Sequence, residues 1–391
     1  MISKFRALAF GAIATSALGA PAMAEPEPVR IGVLLPLSGT FTEYGKQMQN
    51  GLQLFLKQHG DVAGGRKVEL IFKDDGGIAP EKAKKAAQEL LVRDHVDVLA
   101  GFAFTASALA VAPLAKESAR PMIVMNAAAS GITAASPTMM RVGQTLPQIT
   151  EPAGAWAAKN GRDKVFTLVA DIKAGQDAEA AFIRGLTAGG GQVVGSLRVP
   201  AQNPDFAPFI QRIKDARPRA VFVWLPPGEA TIAFIKGFNE RGLGAAGIEL
   251  LGTGDLTDDL DIEAEGDSAL GVLTTGHYSM AHNSSLNKRF VTEYRAAFPN
   301  EKRPNFLSVS AYDALALIYA ALDKTGGKTD ADAFVAALKG VQLESPRGPI
   351  EIDADTRDIV QTVYVRKVEK VNGKLFNVEF DSFPHARDLS K

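Results

Sequence analysis

Val29-Arg30-Ile31-Gly32-Val33-Leu34-Leu35-Pro36-Leu37-Ser38-Gly39 decides the fold of this chain. The run 29–35 is apolar apart from Arg30, as a strand buried on both faces requires, and Pro36 ends it. A polar, glycine-containing loop follows, then Thr40-Phe41-Thr42-Glu43-Tyr44-Gly45 and a helical stretch at 47–59, where Met48, Leu52, Phe55 and Leu56 share one face. Strand, loop and helix in this order begin a parallel α/β unit whose loop is a natural ligand site. Upstream lie Lys4 and Arg6, an apolar stretch at 7–20, and Ala22-Met23-Ala24. A short basic end, an apolar core and small residues form a secretory signal, expected to be cleaved after Ala24. The expectation is a soluble binding protein outside the cytoplasm.

Working outward, apolar runs at 68–72, 96–100 and 122–125 continue the strands, and 81–94 supplies a helix with Ala83, Ala87, Leu90 and Leu91 on one side. The alternation restarts with strands at 165–170, 192–199, 220–225, 248–251 and 270–275, separated by helices at 177–188, 204–216 and 229–241. Helices follow at 285–298, 306–324 and 331–338, then strands at 350–352, 359–368 and 376–380. Two α/β halves with mostly parallel sheets are therefore expected. No long linker separates them. The chain is expected to cross between halves at 140–145, near 275–277 and after 356. This gives lobe 1 as 25–142 with 277–357, and lobe 2 as 143–276 with 358–391.

The length of 391 residues exceeds one hydrophobic core. With 43 basic and 44 acidic residues there is no basic excess to hold nucleic acid. No apolar stretch of membrane-spanning length is read after the signal. The absence of cysteine excludes disulfides, thiolate metal sites, a cysteine nucleophile and a lipid-anchored mature end. Histidine–glutamate zinc motifs, nucleophile elbows and phosphate loops are missing too. His277 and His282 are five apart, an unhelpful spacing for metal on a helix, so His277 reads as a hinge residue or a ligand contact.

The loops after the strands hold the candidate chemistry. Gly101-Phe102-Ala103-Phe104-Thr105-Ala106-Ser107 opens a helix, and Asn126-Ala127-Ala128-Ala129-Ser130-Gly131 follows the next strand. Backbone N–H groups at a helix start, with a hydroxyl beside them, suit an anion; Thr105 and Ser130 equally suit simple helix caps. Phe41, Tyr44, Phe102, Phe104, Trp224 and Tyr278 are candidate walls. Asp171 and Asp255 are the polar candidates of the second half, with turn chemistry as their alternative.

These residues resemble the branched-chain amino-acid (Leu/Ile/Val)-binding family of periplasmic solute-binding proteins that serve ABC importers. The resemblance spans the mature chain. It rests on Gly32-Val33-Leu34-Leu35-Pro36-Leu37-Ser38-Gly39 with Tyr44-Gly45, on Phe72-Lys73-Asp74-Asp75-Gly76, on 101–107, and on Gly348-Pro349-Ile350 with Asp353. It implies two doubly wound α/β lobes of the type I periplasmic-binding fold, hinged by crossovers and closing on a small carboxylate without catalysis, metal or cofactor. By position, Thr105 resembles the hydroxyl that binds the carboxylate, Ala127 a backbone N–H donor and Tyr44 part of the wall. Ala129 or Ser130 stands where the family has a second hydroxyl. Pro226 stands near a family tyrosine, and Asp255 near the glutamate that holds an amino acid's ammonium. Gly276-His277-Tyr278-Ser279, Ser345-Pro346-Arg347-Gly348-Pro349 and Thr356-Arg357-Asp358 are similar to members that carry aromatic acids. The expectation is therefore a monomeric periplasmic protein that delivers an apolar or aromatic carboxylate to an ABC permease. Branched-chain amino-acid binding, a ligand sensor of the same fold and an exported hydrolase are the alternatives.

Overall fold

The computed structural model describes residues 1, 26–201 and 204–390. Apart from Met1, the expected signal segment lies outside them. The first lobe begins β1 (Val29–Leu35), α1 (Thr42–His59), β2 (Val62–Ala63), β3 (Arg66–Asp74), α2 (Pro80–Val92), β4 (Val98–Gly101), α3 (Thr105–Glu117), β5 (Met122–Val124) and β6 (Met139–Arg141). Its six strands run β2-β3-β1-β4-β5-β6, parallel except for the short β2–β3 pair. Strand order reverses at β1, so the loops after β1 and β4 flank a crevice.

The second lobe starts with α4 (Leu146–Lys159) and β7 (Lys164–Ala170), then α5 (Lys173–Ala188), β8 (Gln192–Val199), α6 (Ala207–Ala216), β9 (Ala220–Trp224), α7 (Glu229–Glu240), β10 (Glu249–Thr253), α8 (Ile262–Glu265) and β11 (Leu273–Gly276). The chain returns through α9 (Ser285–Ala297), α10 (Phe306–Thr325) and α11 (Ala331–Leu338), which cover β1 together with α1. It ends in β12 (Gln342–Ser345), β13 (Gly348–Ile352), β14 (Ile359–Val371) and β15 (Lys374–Ala386). The second sheet runs β12-β13-β14-β11-β10-β9-β7-β8, with β15 on β14. β12 and β13 pair into this second sheet, yet Ile350 and Ile352 pack into the first lobe's core.

Helix α10 is long and apolar enough to cross a membrane by composition, which corrects the reading that no such stretch exists; 83% of its apolar window is buried. It is the core helix of the first lobe. A Cβ at Gly51 would overlap the Ser308 carbonyl, so glycine lets α1 lie close against it.

Buried polar groups knit the two lobes together where the chain passes between them. Arg347 donates to the Val142 carbonyl at 2.7 Å and to Gln361 at 2.9 Å, while its Nε lies 2.8 Å from Asp313. Arg141 Nε pairs with Asp358 at 2.7 Å, both side chains being at most 4% exposed. Gln361 and Gln148 bind each other at 2.9 Å. His277 donates from Nδ1 to Gln144 at 2.8 Å, and Ser310 lies 3.5 Å from its Nε2. Burial, then Arg347 and Arg366, lowers the His277 pKa well below its ordinary value, so this ring is neutral.

Glu265, at the end of α8, is 1% exposed and neither carboxylate oxygen finds a partner among the described residues. Burial, then Asp261, Asp258 and Asp259, pushes its pKa up to about 9.

Two predictions follow from these buried charges. Asp313→Ala leaves the Arg347 guanidinium unpaired and should cost roughly 3–5 kcal/mol in urea unfolding; a loss below about 1 kcal/mol would assign the crossovers' stability elsewhere. Glu265→Gln imitates the protonated acid. Between the ordinary value of 4.5 and about 9 the unfolded carboxyl ionises while the folded one keeps its proton, so native stability falls as pH rises. The melting temperature of Glu265→Gln should therefore gain on the native protein as pH increases from about 5 to about 9. A constant difference would refute a protonated Glu265.

Candidate functional site

The strand ends of the two sheets face one another across the cleft, and the first-lobe wall is built from the opening motif. Helix α1 begins at Thr42, earlier than the sequence pattern suggests, which places Tyr44 in its first turn. Gly45 is required there because a Cβ would overlap the Pro36 carbonyl. The Tyr44 ring stacks on Phe104 at 5.7 Å and 13°, and Phe41 packs 4.5 Å from Phe104. This trio is an apolar wall.

Asp74 holds the preceding loop. It accepts from Leu37 N at 2.9 Å, Ser38 Oγ at 2.5 Å and Lys82 Nζ at 2.6 Å. Burial alone would raise its pKa, but these bonds hold it well below the usual carboxylate range. Burial pushes neighbouring Asp75 up to about 6. The sequence marked this acidic pair as part of a family pattern without showing that it fixes the loop.

Beside the wall, Gly101 and Phe102 take φ of +114° and +67°, a left-handed turn that is strained at phenylalanine. The turn lets Phe102 N donate to Leu34 O and sends the chain into α3. The N-cap of α3 is Phe104, with no side-chain cap. Thr105 is the first helical residue, so it does not cap α3; its Oγ1 accepts the Ala129 N–H at 3.3 Å. The Thr105 hydroxyl hydrogen has no acceptor among the described residues and lies beside the positive end of an uncapped helix.

Several expected contacts are corrected. The Ala127 N–H is spent on Phe102 O at 3.0 Å, so it is not a free donor. The Phe102 side chain is fully buried in the core under α2 and α3, away from the trio. Ser130 donates to Asp388 at 2.7 Å rather than capping a helix. Asp171 is exposed, accepts from Gln176 at 3.1 Å and sits 3.8 Å from Arg198. Both ring nitrogens of His277 are engaged in the crossovers. Tyr278 is core and donates to Asn287. A cavity of about 630 Å³ between α5 and the 355–357 turn takes in Ser130 alone among the expected contacts.

In the second lobe, Trp224, Pro226 and Asp255 come together at the ends of β9 and β10, with Pro226 half-buried. Asp255 accepts from Thr253 Oγ1 at 2.7 Å, and burial raises its pKa against the pull of Thr253 and Arg366. The Trp224 indole N–H faces that carboxylate without closing a well-formed bond, and Tyr44 Oη has no partner among the described residues. Burial, then Asp255, Asp258 and Asp261, raises the Tyr44 pKa, so a first-lobe phenol feels second-lobe acids.

Sequence reasoning missed Arg366. It lies buried against Gly254 and Gly276, donating to Tyr278 O and, at 3.0 Å, to Thr274. In Val365-Arg366-Lys367-Val368 two adjacent cations point to opposite faces, and the pattern gives no sign of which is buried. Asp258 was missed as well; it takes both its oxygens to Asn305 at 3.0 Å and thereby ties the second lobe to the start of α10.

Comparison with known proteins agrees with this geometry. The periplasmic binding protein family matches residues 28–374. A Leu/Ile/Val-binding protein homolog 6 of Brucella melitensis is 42% identical over 97% of this chain and 98% of the relative. A solute-binding protein of an ABC transporter from Rhodopseudomonas palustris BisB5, solved with 3,4-dihydroxybenzoic acid, superposes with a TM-score of 0.88 at 49% identity, covering 93% of this chain and 99% of that one. Its counterpart from strain HaA2, solved with p-hydroxybenzoic acid, gives 0.89 at 40% identity over 93% and 98%. With its two doubly wound lobes and the strand-end cleft between them, this chain belongs to the periplasmic binding proteins of ABC transporters.

Proposed function

We propose that this protein captures a small aromatic carboxylate between its lobes and delivers it to an ABC permease, acting as a monomer and without catalysis. The observation that carries this reading is the first-lobe wall, where the Phe41–Tyr44–Phe104 trio adjoins the uncapped start of α3 and the Thr105 hydroxyl. An aromatic ring gains stacking area on such a wall, and its carboxylate meets the helix dipole. Export with cleavage after Ala24 belongs to the same reading, as do lobes divided at the crossovers near 142, 276 and 357.

The second reading is branched-chain amino-acid import, favoured by the Leu/Ile/Val-binding relatives. An amino acid's ammonium needs a buried anion. Asp171 is exposed beside Arg198, and Asp255 already has Arg366 as a neighbouring cation. Neither acid is placed as a dedicated ammonium partner.

Calorimetry with benzoate, 4-hydroxybenzoate and leucine decides between them. The aromatic acids should bind more tightly, and Asp255→Asn should cost less than Thr105→Ala. Tight leucine binding that collapses in Asp255→Asn would reverse the choice. Thr105→Ala should weaken the aromatic acid about ten- to hundredfold, the worth of one charge-assisted hydrogen bond, while Thr105→Ser stays near the native value. Saturating ligand should also narrow the spread of lobe arrangements and lower the radius of gyration in small-angle scattering; equal radii would point to a rigid pair of lobes.

A further inference from the structure

Resting on the aromatic-carboxylate reading, we infer that Asp255 and Trp224 form a reader for a ring hydroxyl, so that the preferred ligand is a hydroxybenzoate rather than benzoate. Three observations meet at one place. Trp224 is only 6% exposed, and its buried indole N–H faces the Asp255 carboxylate without closing a well-formed bond. Tyr44, 8% exposed, has no partner at Oη among the described residues and approaches from the opposite lobe. Asp255 is the acid that faces the Trp224 N–H and acts most strongly on Tyr44, its Oδ2 held by Thr253.

Buried donors without partners are rare in folded proteins, because each loses its water without replacement. Both aromatic side chains are otherwise tightly set. The Trp224 ring lies against Gly175, where a Cβ would come 3.1 Å from it, and the Tyr44 ring is stacked on Phe104. They are fixed in place, Tyr44 with its hydroxyl unspent and Trp224 with its N–H short of a well-formed bond.

The group that completes this arrangement must both donate and accept. It has to give a hydrogen to the Asp255 carboxylate and take one from the Trp224 N–H or the Tyr44 hydroxyl. A carboxylate only accepts and would meet Asp255 as a like charge, so it is directed to Thr105 in the other lobe. An ammonium only donates: it can pair with Asp255 and the Tyr44 oxygen, but it offers the Trp224 N–H no acceptor. A phenolic hydroxyl does both. Because the carboxylate end is held by the first lobe and the hydroxyl by the second, such a ligand also bridges the cleft. A site built around a hydroxyl discriminates strongly against the analogue that lacks it, since its own groups are then left unpaired.

The test is the ratio of affinities for 4-hydroxybenzoate and benzoate, measured by calorimetry on the native protein, Asp255→Ala and Trp224→Phe. The native ratio should favour 4-hydroxybenzoate at least about tenfold, and each variant should compress it to within about threefold. Trp224→Phe keeps an aromatic ring in the core and deletes the N–H, so it carries the test if Asp255→Ala unfolds; melting curves identify that case. A native ratio near one, or a ratio unchanged in Trp224→Phe, overturns the reader while leaving the aromatic-carboxylate reading intact. If the native protein binds neither acid and binds leucine, the underlying reading falls and the reader with it.

Discussion

The structure depends on a pair of buried guanidinium groups at the crossovers. Arg141 donates twice through Nη1, to Ala127 O at 2.8 Å and Ala129 O at 2.7 Å, while its Nε holds Asp358. The same residue thus fixes the loop whose Ala129 N–H reaches Thr105, and anchors that loop to the third crossover. Arg347 does the equivalent for the first, binding Val142 O and Gln361. Carbonyls at a crossover cannot be satisfied by a sheet ladder, and a planar cation with five donors satisfies several at once. Pairing each guanidinium with an aspartate offsets part of the desolvation that burial costs.

From this anchoring the site acquires its polarity. The first lobe presents donors without formal charge: an uncapped helix start, a hydroxyl and an aromatic wall. The second lobe presents Asp255, with Asp258 and Asp259 nearby and Arg366 as their buried counter-charge. On the proposed reading, an anion between the lobes would meet donors on one side and acids on the other. Asp258 and Asn305 add a direct bond between the lobes, so the arrangement described is one in which the two walls are engaged.

Buried acids are concentrated on this second-lobe face. Burial pushes Glu265 up to about 9 and raises Asp258, Asp259 and Asp261 above the usual range. His277, neutral within the crossovers, responds in the opposite sense: acid must charge it against burial. The protein's stability therefore contains two opposing pH dependences.

The sequence by itself determined the architecture, because parallel strands buried on both faces must be apolar runs and their helices must be amphipathic. β1 and β8 were legible to the residue, and the motif at 101–107 marked the loop that opens α3. For Thr105 the sequence left anion binding and helix capping both open, and the Phe104 N-cap of α3 removes the second. What the sequence left open were matters of direction and partnership. It could not tell that Phe102 turns into the core while Phe104 lines the cleft, since a left-handed residue breaks the alternation that assigns faces. Nor could it tell that the Ala127 N–H and the Ser130 hydroxyl are already spent, one on Phe102 and the other on Asp388, far along the chain. Arg366, Asp258 and His277 acquired their roles only from residues brought to them by the return of the chain between lobes. Local pattern encodes which element forms; which polar group is left free for a ligand is decided by long-range hydrogen bonds, and these exist only in the folded molecule.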